Sequence, residues 1–197
     1  MHDRAALRQA PTNQYAETRR KGEIMGLDIT VYRGLTKVEN PELDADGQPE
    51  HDDDGERMFT ENPDFPGRME GIEAGTVYSE DECDGFSAGP YSRYNRWREE
   101  LAKLAGYPAV DYESFGSVEQ RHDAGAWRAG AGPFYELINF SDCEGTIGPV
   151  VSAKLAKDFA DFQTRADAHE SEYFREKYAE WRNAFDMAAE NGAVSFH

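Results

Sequence analysis

Residues 174–185 read FREKYAEWRNAF, and Phe174, Tyr178, Trp181 and Phe185 recur along them every three or four positions. That period gathers the four aromatic side chains on one face of an α-helix. Asn191-Gly192 supplies a stop just beyond. Upstream, Leu155, Phe159, Phe162 and Ala166 keep the same spacing behind Pro149, a residue suited to the first turn of a helix. The polar stretch Asp167–Ser171 between the two runs is either a break between helices or one solvated turn of a longer one. The C-terminal third is therefore helical, with AVSFH (193–197) as a candidate return strand.

The first half carries one comparably clear helix. In YSRYNRWREELAKLAGYP (91–108), Tyr94, Trp97, Leu101 and Leu104 form an apolar stripe. Ser92 is placed as its N-cap, and Gly106 followed by Pro108 as its end. Strands are expected at LDITVYRG (27–34), where Leu27, Ile29 and Val31 alternate with polar residues, and at GTVYSE (75–80). FYELINF (134–140), short and aromatic between Gly-Pro and Ser-Asp, reads as a core strand. Residues 107–132 show little periodicity and read as irregular. The sum is an α+β fold: residues 25–197 as a single domain, a small antiparallel or mixed sheet packed against three or so helices.

At 197 residues, with aromatics at 12%, the chain can bury one sizeable core. No apolar run is long enough to span a bilayer, and the N-terminus lacks the apolar segment of a signal peptide. Residues 1–24 are polar and aperiodic and read as a disordered tail or an extension ahead of a natural start at Met25. The net charge of −18 is unevenly placed. Residues 39–84 hold seventeen acidic and two basic side chains, together with four of the nine prolines, and read as an acidic loop region. Such a surface disfavours direct contact with nucleic acid or an anionic membrane and favours a basic protein partner. Its DADGQPEHDDDGE run (44–56) misses the offsets of a calcium loop. No metal or cofactor site is expected.

Two segments stand out chemically. DECDGFSAGP (81–90) and NFSDCEGTIGP (139–149) each set one of the two cysteines between acidic residues, before a glycine and upstream of a Gly-Pro that opens a helix. Acidic groups and glycines at a helix start satisfy its unpaired amides, which is reason enough for both turns to exist. The same amides also suit an anionic ligand. On that reading the first turn contributes Tyr91, Ser92, Arg93, Tyr94 and Arg96. The second contributes Asn139, Ser141, Asp142, Glu144 and Thr146, with its carboxylates meeting a sugar hydroxyl or base edge. Cys143 with His122 or His169 forms a nucleophile and base by residue type, although acidic flanks oppose a thiolate. A Cys83–Cys143 disulfide also remains open.

MGLDITVYRGLTK (25–37), NPDFPGR (62–68), GFSAGPYSRYNRWREELAKLAG (85–106) and GPFYELINFSDCEGTIGPVVSAKLAKDF (132–159) resemble a group of accessory proteins from bacteriophages and prophages of proteobacteria. The resemblance implies expression in the cytoplasm of a bacterial host and an accessory role, counter-defence among them; it carries over no catalytic residue. Three function classes follow. One is a non-enzymatic binder of a small anionic or nucleotide-derived ligand. Another is an acidic interaction protein that occupies a basic surface of a host protein. The third is a small hydrolase or transferase acting through Cys143 or through Asp142 and Glu144.

Removing residues 1–24 is expected to leave the melting temperature unchanged, because no apolar pattern there can dock on a core. Thermal denaturation of the shortened chain checks this.

Overall fold

The computed structural model describes residues 26–51, 55–114 and 116–197, so the predicted tail lies outside the described residues. Its spine is a four-stranded antiparallel sheet in the order β5-β1-β9-β8, formed by β1 (Leu27–Arg33), β5 (Glu82–Gly89), β8 (Gly145–Ile147) and β9 (Ala193–Phe196). The first predicted strand is thus central, bonded to β5 on one side and to β9 on the other. Alternation along it divides its side chains between two cores. Leu27, Ile29 and Val31 face a large core under the helices, while Tyr32 joins Leu35, Phe59, Met69, Ile72, Tyr78 and Ala193 in a smaller one.

Two long helices cover the large core: α4 (Pro149–Asp167) and α5 (Glu172–Ala188). The polar stretch between them is a true corner, where the Ser171 hydroxyl accepts the Phe174 amide and caps α5. The aromatic face of α5 forms the centre of the molecule. Trp181 is fully buried and lies 5.6 Å from the Tyr94 ring, 5.8 Å from Trp97, 5.7 Å from Phe185 and 5.6 Å from Phe196, with Phe86 edge-on at 5.0 Å. The Tyr178 hydroxyl donates to the Phe159 carbonyl at 2.7 Å, tying α5 to α4. Tyr94 and Trp97 come from α1 (Tyr91–Ala105), which ends at Gly106 with φ +90°, a left-handed cap that glycine adopts without strain.

Four expectations are corrected. FYELINF is no strand: Tyr135–Ile138 form the one-turn helix α3, and Phe134 (φ +57°) precedes it with its amide donating to Asp158 Oδ2 at 2.7 Å. Phe134, Leu137 and Ile138 are buried at i, i+3, i+4, which is helical spacing, and Phe140 is buried beyond the turn. Residues 107–132 are ordered as the hairpin β6 (Val110–Ser114) and β7 (Ser117–Arg121), followed by α2 (His122–Ala129). The first cysteine segment is the edge strand β5 rather than a turn, with Cys83 opposite Tyr32. Its Gly85 sits where a Cβ would come within 2.7 Å of the Ile29 carbonyl oxygen, so close pairing accounts for that glycine. Finally, Ser92 lies inside α1, whose N-cap position is Pro90 with no side-chain cap.

The acidic region 39–84 is also more than a loop. It contributes β3 (Glu56–Met58) and β4 (Val77–Ser79), which form a second antiparallel sheet with β2 (Thr36–Lys37) in the order β2-β4-β3. Phe59, Met69, Ile72 and Tyr78 anchor it in the smaller core. Its truly looped part includes the turn at 44–48, where Asp44 Oδ1 accepts the amides of Asp46 and Gln48. No helix among the described residues is long and apolar enough to cross a membrane.

Trp181→Ala is expected to destabilise the protein by about 3–5 kcal/mol, the cost of emptying a large aromatic site. Urea unfolding followed by circular dichroism measures it.

Candidate functional site

The face of α1 next to its apolar stripe carries Arg93, Arg96, Glu100 and Lys103 at i, i+3, i+7 and i+10, so the four form a line along the helix. The α4–α5 corner lies beside that line. Between them runs a cleft of about 850 Å³, floored by Trp97, Leu104 and Phe174. Its size falls within the range of small-molecule sites. Arg165, in the last turn of α4, completes the set of cations: four basic residues against the carboxylates of Glu100 and Glu170. In a chain of net charge −18, this is a local reversal of sign.

Contacts across the cleft are ordered along it. The Arg93 guanidinium lies 5.3 Å from the centre of the Tyr173 ring, and Trp97 Nε1 donates to the Phe174 carbonyl at 3.4 Å. Glu100 Oε2 lies 3.5 Å from His169 Nε2 and 3.8 Å from Lys103 Nζ. His169 stacks on Phe174 with ring centres 4.0 Å apart, and its Nδ1 accepts the Ser171 amide at 3.2 Å. The other ring nitrogen, Nε2, is the one turned toward Glu100. Arg165 lies over the Phe162 ring at 4.9 Å. Among the described residues Arg93, Arg96 and Arg165 have no carboxylate partner. Three guanidiniums so placed, each with five donors, can receive an anion without first breaking an ion pair.

Of the ten residues singled out in the sequence, Arg93 and Arg96 line this cleft. Tyr94 is buried among rings, with burial pushing its phenol up to about 12, and the Arg98 guanidinium lies 4.6 Å from its centre. Tyr91 packs against the large core, and Ser92 is exposed in the first turn of α1. The second segment serves other purposes. Asn139 Nδ2 donates to the Tyr135 hydroxyl at 2.8 Å, and Ser141 Oγ accepts the amides of Cys143 and Glu144 to build the turn. Asp142 accepts from Asn95 Nδ2 at 2.8 Å and lies 4.0 Å from Arg98, whose Nη1 donates to the Phe140 carbonyl at 2.6 Å. Thr146 is buried beside Ser195, with 3.4 Å between the hydroxyls.

Cys143, Glu144 and Thr146 line a separate cavity of about 430 Å³ with Asn62, Glu61 and His197. The two cysteine segments therefore do not border one pocket. Both cysteines are free thiols. Cys83 lies on edge strand β5, and Cys143 precedes β8 at the opposite edge. Three strand spacings separate those edges, about 14 Å at ~4.8 Å each, well beyond disulfide reach. Burial, with Glu80 and Asp84 nearby, pushes the Cys83 thiol up to about 11, against nucleophilic use. His122 and His169 are engaged away from Cys143: His122 Nδ1 lies 2.6 Å from the Tyr107 carbonyl oxygen, and His169 is in the basic cleft. Among the described residues no group of three or more His, Cys, Asp or Glu side chains is arranged to hold a metal ion.

Comparison with protein-family models, curated proteins and solved structures returns no match. The case for a site rests on its geometry. Of the residues that line the cleft, the sequence singled out Arg93 and Arg96 and not Glu100, Lys103, Arg165, His169 or Tyr173. The line 93-96-100-103 was readable as helical spacing, whereas the contribution of the α4–α5 corner depends on tertiary packing.

Two arginines of α1 are expected to separate fold from site. Arg98→Ala should destabilise the protein by about 3 kcal/mol, because it strips buried carbonyls of their donor. Arg96→Ala should stay within about 0.5 kcal/mol, as for other exposed substitutions. Paired urea titrations make the comparison.

Proposed function

We propose that this protein is a non-enzymatic binder of a small anionic ligand, held in the cleft between α1 and the α4–α5 corner. The observation that carries the reading is the convergence of Arg93, Arg96 and Arg165 in one cleft without carboxylate partners among the described residues. Charged side chains on an acidic surface ordinarily find opposite charges. Here acids are abundant, yet three guanidiniums face an open volume over an aromatic floor. Phosphate-bearing molecules suit that set, since guanidinium donors match phosphate oxygens in pairs. The apolar floor of Trp97, Leu104 and Phe174 suits the organic part of such a molecule.

The resemblance of several segments to bacteriophage and prophage accessory proteins supports a setting in the cytoplasm of a bacterial host. In that setting the binder would withhold an anionic signal from a host defence system. A second reading, an acidic surface that occupies a basic host protein, draws on the edge strand β5. There Asp81, Glu82 and Asp84 are exposed beside the outermost row of backbone groups. It ranks second because Glu82 is already paired with Arg33.

The test is Arg93→Ala/Arg96→Ala, with pyrophosphate and ATP as probes in isothermal titration calorimetry. Each charge-assisted hydrogen bond is worth about 1.5–3 kcal/mol, so a tenfold or greater loss of affinity is expected in a variant that still folds. Unchanged affinity in the double variant overturns the assignment of the cleft.

A further inference from the structure

We infer that the cavity of about 430 Å³ beside β8 binds a small hydroxylated ammonium ion, an amino alcohol by chemical class. The inference is independent of the basic cleft. The floor of the cavity comes from the sheet. Ile29, Val194 and Ile147 point into the large core, so their sequence neighbours Thr30, Ser195 and Thr146 face the other way. These three are cross-strand partners, and Thr146 and Ser195 line the cavity. His197 lines it too, with Nε2 3.1 Å from Thr30 Oγ1.

Residues 58–63 supply a wall, and the wall is anchored to the sheet edge. Asn62 is 9% exposed; its Nδ2 donates to the Glu144 carbonyl at 3.2 Å, and its Oδ1 accepts the Asp64 amide at 3.1 Å. Gly145, at φ +115°, admits this close approach, since a Cβ there would come within 2.8 Å of the Asn62 Cβ. The cavity therefore has its shape before a ligand arrives.

Two features call for an occupant. Thr146 and Ser195 are 3% and 7% exposed, and their oxygens lie 3.4 Å apart, a long contact for hydroxyls. Two hydroxyls bring two protons, and the contact between them uses one. The other proton has no acceptor among the described residues, and a buried donor left so is costly. A ligand oxygen in the cavity would accept it. The second feature is charge. Glu61 on the wall and Glu144 just before β8 have no ion-pair partner among the described residues, and no described Lys or Arg lines the cavity. An ammonium group meets those carboxylates. A plain amine leaves the hydroxyl floor unsatisfied, and a plain polyol leaves the carboxylates unpaired.

The experiment is a chemical-shift titration of the nitrogen-15-labelled full chain with 2-amino-1,3-propanediol, glycerol and isopropylammonium at neutral pH. Glycerol lacks the charge, and isopropylammonium lacks the hydroxyls. The amino diol is expected to bind about tenfold or more tightly than either, with the largest shifts at the amides of Thr146 and Ser195. Glu61→Gln/Glu144→Gln should lower its affinity to that of glycerol, and Thr146→Val to that of isopropylammonium. Equal affinity for the amino diol and either comparator overturns the inference, as does binding of no probe or shifts confined to α1 and the α4–α5 corner. Because the three-probe series uses the unaltered protein, the decision does not depend on how any variant folds.

Discussion

The position of the Trp181 indole governs much of this molecule. It is packed on one side by Tyr94 and Trp97 from α1, and on others by Phe86, Phe185 and Phe196. Through that contact α1 is held against α5 and, by way of Phe86 and Phe196, both are held against the sheet. The basic line of α1 is adjacent to the stripe that supplies Tyr94 and Trp97, so the same packing fixes the direction in which Arg93 and Arg96 project. Interiors packed to crystal-like density leave little room for such a helix to rotate. The cleft is thus an outcome of core packing, since its floor, Trp97 and Phe174, is also core.

Long helices with strong apolar stripes were legible in the sequence because burial imposes a period that few other patterns imitate. The strand at 193–196 was legible as a small apolar run after a helix stop, whereas the polar stretch at 167–171 left a break and a solvated turn equally open until the Ser171 cap decided it. FYELINF misled because a seven-residue segment with five aromatic and aliphatic side chains between turn signals satisfies a strand and a buried turn of helix equally well. The left-handed Phe134 and its Asp158 partner, which decide the matter, lie far apart in sequence. The hairpin at 110–121 was invisible for a different reason. Its first strand alternates half-buried Val110, Tyr112 and Ser114 with exposed Asp111 and Glu113, but the second is almost wholly exposed, so the alternation is too short to stand out.

The candidate site was half legible. Two arginines near a helix start drew attention for their charge, but the feature proposed to complement them was wrong in place. Asn139, Ser141 and Asp142 are occupied in building a turn and in anchoring Asn95 and Arg98, and Thr146 is buried. Their polarity serves the backbone, as short polar side chains in tight turns commonly do. What joins Arg93 and Arg96 in the cleft comes from the α4–α5 corner, about seventy to eighty residues further on, and no local pattern could announce that. The charge distribution of the chain follows the same division: most of its net negative charge lies in 39–84, which contributes two strands of the second sheet, and the cationic cleft lies in helices that are otherwise near balance.

The strand order β5-β1-β9-β8 has a consequence for how the chain comes into being. Synthesis is vectorial, and β9 is the last of these four strands to leave the ribosome although it sits between β1 and β8. Until residues 193–196 emerge, β1 has an open flank and β8 has no neighbour in the sheet. The contacts that close the sheet join residues more than 150 positions apart, which raises contact order and slows the final step. The nascent chain therefore presents an unpaired hydrophobic edge until β9 emerges, the kind of surface that chaperones hold. The acidic segment at 39–84 precedes β9 in the chain, and like charge of that density favours repulsion between nascent copies.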